Sequence, residues 1–70
     1  MDTNMLKSVL VRNGDNVTAL AGKMGLSAAG LYRRIDGKTQ FTYKEIKAIK
    51  EIYGLSPDEI DAIFFTDGVS

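Results

Sequence analysis

The stretch "ALAGKMGLSAAGLYRRIDGK", Ala19 to Lys38, holds four of the chain's seven glycines and sets two short apolar runs on either side of Gly25. Leu20, Ala21 and Met24 recur at helical spacing, Gly25 breaks the run, and Ser27 is a residue type that opens helices. Leu31 and Ile35 then stand one turn apart, with Gly37 just past them as a stop. Between Ser27 and Leu31 lie only Ala28, Ala29 and Gly30. These bury almost no apolar surface, and glycine inside a helix costs roughly 1 kcal/mol relative to alanine. A helix that begins on three tiny residues needs a reason other than covering a core.

Outward from this stretch the same signals repeat. Met5, Leu6, Val9 and Leu10 predict a first helix with Gly14 as its C-cap, and Asp15 or Asn16 caps the next, which starts its apolar face at Val17. Thr42-Tyr43-Lys44-Glu45 reads as a capping box, followed by Ile46, Ile49 and Ile52 as a core stripe with Tyr53, and closed by Gly54. Ser56-Pro57-Asp58-Glu59 is a second box, with proline at the first helical position, ahead of Ile60, Ile63 and Phe64. No alternating strand pattern competes, and the connections are short. The expected fold is all-α, a compact five-helix bundle forming one domain over residues 1–70.

Seventy residues bury only roughly 60% of the surface of the unfolded chain. There is no Cys and no His, which removes disulfides and the commonest zinc ligands and general bases. Stability must then come from well-made helices or from oligomerisation, and no metal or cofactor is expected. Catalysis has no visible machinery, and room for a pocket of about a few hundred Å3 is not expected, so an enzyme acting on a small molecule is the weakest reading. No apolar run approaches the roughly 20 residues of a membrane span, and the N-terminus lacks the pattern of a secretory signal, so a soluble cytoplasmic protein is expected.

Formal charge is zero overall but strongly polarised. All nine Lys and Arg lie in residues 1–50 against four acids, whereas residues 51–70 carry five acids and no base. Such a chain suits a polyanion at one end. A helix ending at Met24, a tight turn through Gly25 and Leu26, and a helix capped by Ser27 form a helix-turn-helix over about 17–36, with Ala21 allowing close approach. The small front of the second helix lets its backbone come close to a DNA groove. Ala28 and Ala29 can offer methyl contacts to thymine, and Tyr32 and Arg33 are long enough to reach base edges.

These residues resemble the DNA-binding domain of the phage Cro and repressor family. The family pattern of Ala, Gly four later, an apolar residue six beyond that, and Gly-Lys after the recognition helix is matched by Ala21, Gly25, Leu31, Gly37 and Lys38. The resemblance spans residues 5–64. It implies a lambda-repressor-like fold that reads bases through Ala28, Ala29, Tyr32 and Arg33. It further implies phosphate contacts from Asn16 and Thr18 at the start of one helix, from Ser27, from the loop Lys38, Thr39 and Gln40, and from Lys23 and Lys44. Arg34 is expected to reach outward while Ile35 takes the buried place. Val17 departs from the pattern: many family members carry Gln there, and valine cannot make its hydrogen bonds.

Phe64 and Phe65 are adjacent and therefore point about 100° apart on a helix, so one short terminal helix cannot turn both into its own core. A dimerisation region at about 56–66 is expected, with Ile60, Phe64 and Phe65 as contacts and the unbalanced acids turned away from DNA. The leading expectation is a Cro-like transcriptional regulator that binds a pseudo-palindromic operator in double-stranded DNA as a homodimer. The alternative is a protein-interaction module, antirepressor-like, that binds a partner repressor or a polymerase subunit.

Overall fold

Each helix boundary has an identifiable chemical cause. In a computed structural model that describes residues 1–65, the chain forms five helices: α1 (Thr3–Arg12), α2 (Val17–Met24), α3 (Ala28–Ile35), α4 (Tyr43–Tyr53) and α5 (Pro57–Phe64). Each is preceded by a side chain that accepts a hydrogen bond from an otherwise unpaired first-turn N–H: Asp2, Asn16, Ser27, Thr42 and Ser56 in order. The two capping boxes close reciprocally, with Glu45 and Glu59 accepting from the N–H of their own caps. Of the two residues that could cap α2, it is Asn16, whose Oδ1 accepts from the Ala19 N–H at 2.8 Å. The C-cap of α1 is Asn13 rather than Gly14; the Asn13 amide folds back on the Val9 carbonyl at 2.8 Å.

Between α2 and α3 the chain reverses within three residues. Gly25 takes a left-handed conformation, φ 71°, that other residues adopt only at a cost. The Leu26 N–H then returns to the Ala21 carbonyl at 2.9 Å. α2 packs more extensively on α3 than any other helix pair in the described residues, and Ala21, 1% exposed, keeps that approach close.

One apolar cluster holds the five helices: Leu6, Val9 and Leu10 from α1, Val17, Leu20 and Ala21 from α2, Leu31 and Ile35 from α3, Ile49 from α4, Leu55, and Ile60 and Ile63 from α5. No polar side chain is buried among the described residues, so the core owes its stability to burial and packing. The stripe on α4 is narrower than its sequence suggests. Only Ile49 is fully buried, while Ile46 and Ile52 pack partly exposed at the edge of the cluster. Leu55, just after the Gly54 turn, fills the space between α4 and α5. The two ends of the described chain meet where the Asp2 N–H donates to the Ile63 carbonyl at 2.7 Å. The outcome is an all-α globule of 28 × 26 × 21 Å without strands in the described residues.

Candidate nucleic-acid interface

The outward face of α3 carries Ala29, Tyr32 and Arg33. Successive residues are about 100° apart, so with Leu31 and Ile35 in the core these three fall on one stripe on the opposite side, and all three are exposed. Tyr32 is 47% exposed. Ala28 is half-buried and turned toward the core edge, which leaves Ala29 as the small residue at the front of the stripe.

Past α3 the loop is held against the helix end. The Lys38 N–H donates to the Arg33 carbonyl at 2.9 Å and the Thr39 N–H reaches the same oxygen at 3.3 Å. Lys38, Thr39 and Gln40 are exposed, as is Lys44 in the first turn of α4. On the other flank, Asn16 and Thr18 are exposed at the α2 N-terminus, where unpaired amides and the helix dipole favour an anion. Asn16 and Ser27 use one oxygen each as caps, but an amide NH2 and a hydroxyl hydrogen remain to donate. Ion pairs among the described residues are Arg12–Glu59, Lys23–Asp15 and Arg34–Glu45. Arg33, Lys38 and Lys44 thus have no carboxylate partner among the described residues.

The expected outward course of Arg34 is corrected, and Lys23, still half exposed, is engaged in an ion pair. Arg34 does not reach outward: its side chain is only 18% exposed, with Nε donating to Glu45 Oε1 at 3.0 Å and Nη1 to the Gly30 carbonyl at 2.8 Å. Burial alone would raise the Glu45 carboxyl, but the Arg34 hydrogen bond and the Thr42 N–H outweigh it and hold its pKa below the ordinary value. Lys23 is likewise engaged, 2.6 Å from Asp15 Oδ2 and 5.6 Å above the Tyr53 ring. The same carboxylate oxygen accepts the Tyr53 hydroxyl at 2.6 Å. Lys23 first and Tyr53 second lower the Asp15 pKa, while burial and then Asp15 raise that of Tyr53. Asp15 and Tyr53 are 38 positions apart, and no local pattern announces such a pair. Glu45 was visible only as a cap; its second partner, Arg34, reaches across from α3 to the first turn of α4.

The expected dimer contacts divide three ways. Ile60 is 7% exposed and belongs to the core, so it is withdrawn as a contact. Phe64 is partly buried, its ring edge-on to Phe41 with centroids 5.2 Å apart. Phe65 is 61% exposed. Residue 66, at the end of the expected contact region, lies outside the described residues. Phe65 shares a groove of about 280 Å3 between α4 and α5 with Tyr43, itself 77% exposed, and with Ile46 and Lys47. A second cleft of about 440 Å3 runs under the Gly37–Phe41 loop. Room for hollows of a few hundred Å3 therefore exists, contrary to expectation, because short helices joined by tight turns leave gaps between their ends.

No cluster of metal-ligating side chains occurs among the described residues, and no described helix is long and apolar enough to cross a membrane. Comparison of the chain with protein-family models, with curated proteins and with solved structures finds no match.

Proposed function

We propose that the chain is a sequence-specific DNA-binding transcriptional regulator, with α2, the Gly25 turn and α3 acting as a helix-turn-helix and α3 entering the major groove. The observation that carries this reading is the exposed stripe of Ala29, Tyr32 and Arg33, flanked by the unpaired cations Lys38 and Lys44. A small residue at the helix front permits close approach, an arginine one turn later is the commonest reader of guanine, and the flanking lysines supply sequence-independent attraction. Of the acids near this surface in sequence, Asp15 and Glu45 are each paired with a basic partner, whereas Asp36, the C-cap of α3, is exposed with no ion pair among the described residues.

One recognition helix of eight residues makes few contacts, so useful affinity calls for two copies about 34 Å apart on a pseudo-palindromic operator. Repression by occupancy follows from such binding. The test is selection of bound duplexes from a random pool: an enriched sequence with two inverted half-sites is the expected result, and a pool that stays random overturns the reading. The exposed Tyr43 and Phe65 favour the protein-interaction alternative, which a random pool together with binding to a repressor or polymerase subunit would support.

A further inference from the structure

Gly30 and Arg34 lie one turn apart on α3. Here they form one device. The Arg34 side chain folds back along α3, so that Nη1 meets the Gly30 carbonyl at 2.8 Å while Nε spans to Glu45 Oε1 at 3.0 Å on α4. That oxygen also accepts the Thr42 N–H at 2.9 Å, the cap of α4. A Cβ on residue 30 would stand 3.1 Å from the Ser27 Oγ and 3.4 Å from Arg34 Nη1. The first of these atoms is itself the α3 cap, accepting the Gly30 N–H at 3.0 Å. The glycine therefore leaves room for two hydrogen-bonded groups at once, the Ser27 cap at the start of α3 and the Arg34 guanidinium that joins α3 to α4.

We propose that Arg34 is a positioning residue: the Gly30–Arg34–Glu45 clamp sets the angle of the α3 reading face against the Lys38–Gln40 loop and the first turn of α4. This rests on the DNA reading above. The chain between the clamp's two ends is the loop that carries Lys38, Thr39 and Gln40, and the amides of Lys38 and Thr39 are already tied to the Arg33 carbonyl. Holding α3 to α4 at that point fixes the distance from Arg33 to Lys38 and Lys44. Base contacts need that distance held, because paired hydrogen bonds to a base edge are directional, whereas a lysine attracts phosphate over a range of positions. The clamp thus governs discrimination between sequences, and leaves sequence-independent attraction alone.

The variants Arg34→Met and Arg34→Lys, each in the full chain, separate this role from a direct phosphate contact. Binding is measured to the selected duplex and to a scrambled duplex across a salt series, with folding checked by circular dichroism. Expected is a drop of about tenfold in the ratio of specific to non-specific affinity, the scale of one degraded base contact, with the salt slope unchanged. Arg34→Lys is expected not to rescue, since a single ammonium cannot reach both oxygens as the fork does. Rescue by lysine, a shallower slope, or equal loss on both duplexes overturns the proposal. A DNA-free measurement keeps it falsifiable. Amide hydrogen exchange in Arg34→Met should quicken at Lys38 and Thr39, and unchanged protection there overturns the clamp. Failure of the DNA reading looks different, since then the wild-type chain itself binds neither duplex.

Discussion

Arg33 and Arg34 are neighbours in sequence with the same chemistry, and one turn of helix geometry gives them different work. Arg34 lies on the side of α3 that meets α4 and is consumed by Glu45 and Gly30, whereas Arg33 is exposed without an ionic partner among the described residues. Arg33→Ala should therefore cost roughly 1–3 kcal/mol of operator binding and relax preference at one base pair per half-site, read by comparing affinities over a set of single-base variants. Lys38→Ala should weaken all duplexes alike. Equal weakening of every duplex by Arg33→Ala would make Arg33 a phosphate clamp and move readout to DNA shape. The sequence showed that this helix carries two adjacent arginines but not which of them was free, because the partner of Arg34 comes from another helix.

Among the elements, α4 is tied to α2 through Lys23, Asp15 and Tyr53 and to α3 through Arg34 and Glu45, and the ionisation of these groups gives stability a defined pH dependence. Asp15 is held below its ordinary pKa by Lys23 and Tyr53; Glu45 is lowered despite burial by Arg34 and Thr42. A carboxyl whose folded pKa is depressed contributes stability above its unfolded value, and that contribution is lost as pH falls through the folded value. With ordinary values of 3.8 and 4.5 for these two groups, the melting temperature should hold near neutrality and fall below about pH 4.5. Tyr53 works in the opposite direction, because its pKa is raised in the fold. Its contribution is complete below the ordinary value of 10.0 and declines above it. Thermal melts of Glu45→Gln should show a shallower acid limb, and those of Tyr53→Phe a shallower alkaline limb. Acid limbs that superimpose in wild type and Glu45→Gln would mean that Arg34 favours the carboxylate no more in the fold than solvent does.

At the level of the whole molecule the questions are grip and copy number. Three unpaired cations per subunit at the proposed surface, Arg33, Lys38 and Lys44, bring about six charges to DNA in a dimer, so log affinity should fall with log salt at a slope of about −5. Lys38→Ala should reduce its magnitude by about 2 in the dimer. A slope near zero would remove the DNA reading and leave the interaction module. Dimerisation should depend on Phe65, the exposed phenyl at the rim of the α4–α5 groove. Covering one such ring contributes about 1.5–3 kcal/mol per subunit, enough for a weak dimer that DNA strengthens by linkage. Phe65→Ser examined by analytical ultracentrifugation should stay folded, shift toward monomer and bind with half-site affinity. An unchanged mass distribution with intact operator binding would place the subunit contact on another face.

The five helices and nearly all their limits were readable from the chain alone, because caps, boxes and left-handed glycines act over three or four residues and leave their signatures in the order of side chains. The core residues of α1, α2 and α3 were equally plain from their spacing, whereas Ile60 of α5, expected at a subunit contact, lies in the core. What only the tertiary structure decided was the fate of each polar or aromatic group at a helix junction. Asp15 reaches Tyr53, Arg34 turns inward to Glu45, Phe41 meets Phe64, and Leu55 rather than a wider isoleucine stripe completes the core. Each of these contacts joins residues that no helical period relates, so their partners exist only once the helices have packed.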